Sequence, residues 1–246
     1  MDLGGDLLGV FLVACRVGGC LMLMPGFSSA RVPVRVRLFI AIAIALVVAP
    51  IAIERDALKG LSGDGLARVI FAEIVSGAIM GFVARIYLSG LGFMTTAMAH
   101  YIGLNALGGS IDGDEAMPSL ASLVTVLATL VLFAWDLHRL VVVMVIESYA
   151  RLPLSVMPEF GAILRLTASS LQAAFFLGLQ VIGPFVIYGI LVNMIFGILG
   201  KLIPQVPSYF ISVPFLLAGG FVLLYFSLPM MMKVFSQGFQ SAFLAL

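Results

Sequence analysis

The stretch GGSIDGDE at residues 108–115 brings a serine and three acids close together in the sequence. A nucleophile elbow needs the pattern Gly-x-Ser-x-Gly, but the second residue after Ser110 is Asp112. Asp112, Asp114 and Glu115 begin like a calcium loop, yet the later ligands of such a loop are missing. The stretch therefore predicts neither a serine hydrolase nor a calcium site.

The two histidines and the two cysteines give no catalytic or metal-binding pattern either. His100 and His138 lie far apart and outside any HExxH motif, which argues against a zinc protease. Cys15 and Cys20 lie in one apolar run, at a spacing typical of neither a metal site nor a disulfide framework. We therefore expect no enzymatic activity, no cofactor and no metal.

The composition indicates an integral membrane protein or a subunit of a very apolar assembly. The chain has 246 residues, of which 62% are hydrophobic and 10% are charged, whereas roughly 25% are charged in ordinary soluble domains. The net charge is +1 and no basic run could neutralise a phosphate backbone, so we expect no nucleic-acid partner. We predict an all-α integral membrane protein with about six long apolar helical segments, some kinked or hairpin-like.

The apolar segments are interrupted at recognisable positions. The runs are residues 7–24, 38–53, 69–102, 120–133, 140–146, 166–200 and 209–232. Trp135 and Asp136 begin a polar cluster that predicts an interface or a helix break. Residues 147–165, with two prolines, predict a connecting segment, and Gly183-Pro184 predicts a kink or a helical hairpin.

A polar loop at residues 103–122 separates two helical halves, 1–102 and 123–246, of what we expect to be a single domain, 1–246. Its glycines allow irregular backbone, and its acids cannot be left unpaired in hydrocarbon. Such backbone is tolerated at membrane depth where it lines a water-filled cavity or is buried in protein. A solvated loop outside the membrane is the open alternative.

Two stripes of small and polar residues predict close helix packing. At a spacing of four residues, such positions wind slowly along one face of a helix, and small residues there let another backbone approach. The first stripe runs from Glu73 to Ser89 and the second from Gly189 to Lys201. The residues that we expect at helix interfaces are Gly77, Gly81, Gly189, Asn193 and Gly197.

Arg16 lies in the middle of the first apolar run. A cation at that position is costly unless it faces other helices or water, and arginine does not lose its charge. We predict that Arg16 is buried and paired with Glu73, the acid on the third run.

Several segments resemble one family of membrane proteins. Residues 28–37, SSARVPVRVR, are similar to the Val-Pro-x-Arg-Val-basic segment that follows the first apolar run in the FliR/SctT family of type III secretion export-gate proteins. The likeness recurs in order at residues 102–105, 137–153 and 191–213. It therefore covers nearly the whole chain.

The resemblance implies a core subunit of the flagellar or injectisome protein export gate in the bacterial inner membrane. The implied partners are FliP and FliQ type subunits in a helical hetero-oligomeric assembly, FlhB and FlhA type components, exported unfolded proteins and membrane lipid. In that family the central loop helps to plug the pore. Mapped onto this chain, the plug comprises Gly108, Gly109, Ser110, Ile111, Asp112, Gly113 and Asp114.

The residues just before the loop suggest a further part of such a pore. Phe93, Met94 and Met98 could form a deformable apolar collar, because methionine is flexible and polarizable. Ordinary core packing is the alternative role of these side chains. A small-solute or ion-coupled transporter is the alternative function, with the interruption at Gly183-Pro184 and the acidic loop forming a binding site at the middle of the membrane.

Overall fold

The computed structural model describes residues 3–28, 32–52, 63–104, 119–154, 156–205 and 208–244. Within these ranges the chain forms α-helices and no strand, so the predicted all-α class is confirmed. The helices are α1 (Leu3–Leu23), α2 (Val34–Ala52), α3 (Asp64–Tyr101), α4 (Ser119–Ala134), α5 (Leu137–Arg151), α6 (Phe160–Leu202) and α7 (Ser208–Leu244).

Five of the described helices are long and apolar enough to cross a membrane, and a sixth span is possible if α4 and α5 count together. Helices α3, α6 and α7 contain 38, 43 and 37 residues. At 1.5 Å per residue they are about 55 to 65 Å long, whereas the hydrocarbon core of a bilayer is about 30 Å thick. Each is therefore long enough to cross the core and to extend beyond it.

The helices run further than the sequence indicated at several places. Helix α4 begins at Ser119, so the predicted loop 103–122 extends too far at its C-terminal end. Helix α6 continues through Gly183-Pro184, so the helical-hairpin interpretation is wrong. Proline removes a single helical hydrogen bond, whereas a turn inside an apolar segment would leave several backbone groups without partners. Helix α5 continues to Arg151 and α6 begins at Phe160, so the predicted connection over 147–165 is too long. Helix α7 reaches Leu244, well past the predicted end of the last apolar run.

Of the two interpretations of the polar cluster that begins at Trp135, an interface or a helix break, the structure has a helix break there. Helix α4 ends at Ala134 and α5 begins at Leu137, with Asp136 at the N-cap. Asp136 has a φ angle of 56°, in the left-handed region that residues other than glycine rarely adopt. Aspartate is one of the few side chains that tolerate this conformation, which explains how the chain changes direction here without a glycine.

The contacts divide the chain into two compact units. Unit 1 comprises Met1–Tyr87, Leu132–Leu171 and Phe239–Leu246, and unit 2 comprises Leu88–Val131 and Gln172–Gly238. Each unit takes segments from both sequential halves of the chain. In unit 1, α1 packs along α2, and α2 also contacts α5.

Unit 2 is held together by glycines that face bulky side chains. The C-terminal part of α3 lies along α6, where Gly178 accommodates Met94 and Gly189 accommodates Tyr101. Helix α7 returns along α6, and the Tyr188 hydroxyl donates a 2.5 Å hydrogen bond to the carbonyl oxygen of Phe215. These contacts show that close helix approach at small residues organises the apolar core of this unit.

Candidate functional site

Helices α1 and α3 of unit 1 touch along three glycines. A methyl group on Gly77 would lie 2.7 Å from the carbonyl carbon of Arg16, and one on Gly19 would lie 2.6 Å from the carbonyl oxygen of Ile74. Gly81 faces the carbonyl group of Cys20 in the same way. Because nonbonded carbon atoms prefer separations of about 3.5 to 4.0 Å, only glycine fits at Gly77.

The side chain of Arg16 forms a buried ion pair at this crossing. Its Nε donates to Oε2 of Glu73 at 2.7 Å, and its Nη2 donates to Oε1 at 2.8 Å. Arg16 is 0% exposed and Glu73 is 1% exposed. Glu73 lies one helical turn before Gly77. The close approach of α1 to α3 at Gly77 therefore also brings the side chains of Arg16 and Glu73 within hydrogen-bonding distance.

The remaining donors of Arg16 reach the C-terminal turn of α5. Nη1 donates to Oγ of Ser148 at 2.9 Å, and Nη2 donates to the carbonyl oxygen of Leu152 at 3.1 Å. Ser148 in turn donates to the carbonyl oxygen of Val145 at 2.7 Å. A cation is favourable at this end of a helix, because the last carbonyl groups carry partial negative charge.

Tyr149 completes the cluster. Its hydroxyl donates to Oε2 of Glu73 at 2.9 Å, and its ring lies 3.7 Å from the guanidinium carbon of Arg16. The ring face therefore contacts the cation while the hydroxyl group binds the anion. We call Arg16, Glu73, Ser148, Tyr149 and the Leu152 carbonyl group the charge cluster.

The charge cluster is suited to fastening helices. Both carboxylate oxygens of Glu73 accept hydrogen bonds, and the arginine is permanently charged. Burying a charge pair costs free energy unless the geometry is good and the other donors are satisfied, as they are here. Removing one member of such a buried pair typically costs about 3 to 5 kcal/mol. The cluster thus ties α1, α3 and α5 together.

Elsewhere along the described ranges, no three His, Cys, Asp or Glu side chains are grouped as metal ligands.

The structure places the expected packing residues in two kinds of environment. Gly77 and Gly81 face α1, and Gly189 faces Tyr101, so these three lie at contacts within their units. Asn193 and Gly197 are exposed, and no described atom lies within 4 Å of the position that a methyl group on Gly197 would occupy. The second stripe therefore changes from an internal to an exposed surface along α6.

The three residues of the expected collar also differ. Phe93 is 64% exposed, whereas Met94 and Met98 are buried at 4% and 0%. Met94 packs against Gly178 inside unit 2, which is the core-packing role. Residues 108–114 of the expected plug lie outside the described residues.

Sequence reasoning missed the partners of Arg16 on α5. It ended that helix at residue 146, so Ser148 and Tyr149 fell into a supposed connecting segment. Pro153 was a usable signal, because the residue before a proline disfavours helical backbone, which predicts a helix end near Leu152. A polar Ser-Tyr pair in the last turn of an apolar helix would then have been the natural partner for a buried arginine.

Comparison with known proteins gives one family and several relatives. A family model described as "Bacterial export proteins, family 1" matches residues 7–242. The chain is 26% identical over 220 residues to a Caulobacter vibrioides protein, a match covering 88% of this chain and 87% of the relative. It is 22% identical over 237 residues to an Aquifex aeolicus protein, covering 96% and 92%. Both relatives are named flagellar biosynthetic protein FliR.

Proposed function

The chain belongs to the bacterial export proteins, family 1, and from this premise we propose that it is a non-enzymatic core subunit of the flagellar protein export gate in the bacterial inner membrane. The observation that carries the proposal is the family match over residues 7–242, in a chain whose long apolar helices fall within the same range. The flagellar name of the relatives favours the flagellar over the injectisome role.

A gate subunit has to hold its helices in place while substrates pass, and the charge cluster supports this function. Glu73 is bonded to Arg16 and Tyr149, so its carboxylate is not available to a coupling ion. Ionisable side chains inside membrane helices often mark the ion pathways and proton relays of transporters. The engagement of Glu73 therefore favours the gate over the transporter.

The exposed surface of α6 supports assembly with other subunits. Asn193 and Gly197 lie on a largely apolar helix, at the four-residue spacing at which membrane helices approach each other closely. FliP and FliQ type subunits are the partners that we propose for such surfaces, with FlhB and FlhA type components joining the same apparatus. Lipid covers the rest of the apolar exterior.

Assembly can be tested by purifying the chain alone and together with its FliP and FliQ type neighbours. We expect the chain to aggregate or to be degraded when it is made alone, and to yield a single defined complex when it is co-expressed. A monodisperse chain that binds a small solute without these neighbours would contradict the proposal and favour the transporter.

We further propose that residues 108–114 plug the pore when the gate is idle. A conduit for unfolded proteins has to retain ions between substrates, and the glycines of this loop give the backbone freedom to fill a narrow channel. Phe93, the exposed member of the expected collar, lies on the helix that leads into the loop. Met94 and Met98 would then support Phe93 from inside unit 2.

Deleting residues 108–114 tests the plug. We expect the deleted chain to assemble normally and the cells that contain it to leak small ions, which is measured as membrane conductance at matched complex levels. A substitution in the same loop that keeps its length, Ser110→Ala, serves as the control. Unchanged conductance in the deletion would show that the solvated-loop alternative is right.

A further inference from the structure

One end of unit 1 carries arginines that the charge cluster does not use. Helix α1 ends and α2 begins there, and Nη1 of Arg37 lies 3.9 Å from Sδ of Met22, in the last turn of α1. Helix α3 passes the same end, because a methyl group on Gly81 would lie 3.0 Å from Cβ of Leu23. Arg85 follows Gly81 by about one helical turn and is exposed.

The break between α4 and α5 lies at this end as well. The ring of Phe27, just after α1, packs edge-on against the ring of Phe133, with 5.5 Å between the centroids. Trp135 follows and is 49% exposed, and Arg139 is exposed in the first turn of α5. Arg35 is exposed in the first turn of α2. We call Arg35, Arg37, Arg85 and Arg139 the arginine end of unit 1.

The arginine end has an excess of positive charge. Residues 20–28, 32–39, 81–88 and 132–139 form it, and they contain the four arginines and one acid, Asp136. Arg35, Arg85 and Arg139 form no ion pair with any described residue. Arg35 and Arg139 also lie in the first turn of a helix, where the helix dipole disfavours a cation and favours an anion. The arginine end is therefore complementary to an anion from outside the chain.

Exposed apolar side chains continue from two of these arginines along one face of each helix. They are Phe39, Ile42 and Leu46 after Arg35 on α2, which are 73%, 46% and 58% exposed, and Phe82 and Ile74 before Arg85 on α3, which are 44% and 43% exposed. At about 100° per residue, each set stays within about 60° of its arginine. Both strips lead away from the arginine end, because α2 starts there and α3 runs parallel to α1.

The outward face of α2 is suited to lipid rather than to another helix. The small residues Ala41, Ala45 and Ala49 are 2%, 0% and 7% exposed, so they already pack inside the chain. Small residues are the ones at which membrane helices approach each other closely, and the outward strip of α2 consists of bulky side chains instead. Helices α1 and α2 have 21 and 19 residues and are thus about 30 Å long, the thickness of the hydrocarbon core. The end at which they join is therefore placed as a boundary between hydrocarbon and water.

We propose that the arginine end binds the headgroups of anionic phospholipids, whose acyl chains lie along the strips of α2 and α3. The guanidinium group of arginine binds phosphate oxygens through two parallel hydrogen bonds, which suits a phosphodiester headgroup. The exposed Trp135 fits the same boundary, because tryptophan is enriched at membrane–water interfaces. The proposal requires that the chain lies in a membrane and does not rest on its part in protein export.

Photo-cross-linking in living cells identifies what lies against the strip of α2. A benzophenone amino acid replaces Phe39, the most exposed residue of that strip, in an otherwise complete chain at its normal level. After irradiation the chain is purified and its adducts are determined by mass spectrometry. We expect phospholipid adducts in which phosphatidylglycerol and cardiolipin are enriched over their share of the total membrane lipid.

A charge variant and a matched control test the role of the arginine. Arg35→Gln should lower the ratio of anionic to zwitterionic lipid in the adducts about fivefold, the attraction expected from one arginine near a membrane surface. Arg68→Gln makes the same change of charge at an exposed arginine early in α3, away from the arginine end, and should leave the ratio unchanged. A benzophenone at Phe82, combined with Arg85→Gln, repeats the test on α3. The ratio does not depend on how much of each variant the cells contain.

Other outcomes would overturn the proposal. A peptide adduct from another subunit, no adduct, or an anionic share equal to that of the whole membrane would each exclude the proposed occupant. So would a ratio that does not respond to Arg35→Gln, or one that responds equally to Arg68→Gln. Export is not part of this measurement, so the expected adducts in a chain that proves dispensable for export would refute the gate alone.

Discussion

The substitution Gly77→Ala should open the contact between α1 and α3 and weaken the charge cluster with it. The added methyl carbon would lie 2.7 Å from the carbonyl carbon of Arg16 and 3.0 Å from its Cα. Nonbonded carbons prefer about 3.5 to 4.0 Å, so the two helices have to separate by about 1 Å. Backbone atoms form the obstruction, and no side chain can rotate away to relieve it.

The cost follows from two effects. Overpacking of a tight contact costs about 1 to 3 kcal/mol. A displacement of about 1 Å would also lengthen the 2.7 Å bond between Arg16 and Glu73 beyond the hydrogen-bonding range of about 3.2 Å. A hydrogen bond to a charged group contributes about 1.5 to 3 kcal/mol, so we expect a total loss of about 2.5 to 6 kcal/mol.

This loss is measured by unfolding the chain within its complex. The complex is kept in a mild detergent, and dodecyl sulfate is added stepwise until the chain unfolds. Gly18→Ala is the matched control, because Gly18 lies on α1 close to the same crossing and a methyl group there would meet no described atom within 4 Å. Alanine has the higher helix propensity, so the control should be as stable as the original chain or more stable by up to about 1 kcal/mol. Equal stability of Gly77→Ala and Gly18→Ala would refute the tight crossing.

Three further predictions concern the two units. Exchanging Arg16 and Glu73 should give more assembled complex, measured by co-purification, than either single charge reversal. The yield should stay below that of the original chain, because a carboxylate would then face the Leu152 carbonyl. A yield no higher than that of the single reversals would argue against the pair. Tyr149→Phe should lower the unfolding free energy by about 1.5 to 3 kcal/mol, since it removes the hydrogen bond to Glu73 and keeps the ring over Arg16. A loss as large as that of Glu73→Ala, about 3 to 5 kcal/mol, would contradict this and show that the whole ion pair depends on the Tyr149 hydroxyl group. Gly178→Ala should lower the unfolding free energy less than Gly77→Ala, because the added methyl group meets the flexible side chain of Met94. A second substitution, Met94→Ala, should reverse part of the effect of Gly178→Ala. Additive losses in this double-mutant cycle would count against the contact.

Composition and periodicity predicted the membrane helices well because both depend on local chemistry. A long apolar run has few ways to satisfy its backbone other than a helix, so the all-α class was available from the sequence. The same rule explains where the prediction failed. Pro184 looked like a place to turn, but α6 continues because a helix loses less at a proline than at a turn in apolar surroundings.

The pairing of Arg16 with Glu73 was accessible from sequence for a related reason. A buried arginine needs an acid, and few acids lie within the apolar runs. The contribution of α5 was only partly accessible: Pro153 indicates where that helix ends, but the hydrogen bonds from Arg16 to Ser148 and Leu152 depend on how distant helices meet. The same holds for Gly178, whose partner Met94 lies on another helix and leaves no trace in the local pattern.

The export of flagellar proteins is the most direct measurement of the central claim. In a strain from which the gene for this chain has been removed, hook and filament proteins in the culture medium are quantified against their level inside the cells. The gate function predicts that these proteins are made but not exported, and that the original chain restores export while the Gly77→Ala chain restores it poorly. Normal export in the deleted strain, at equal intracellular levels, would contradict the proposed function.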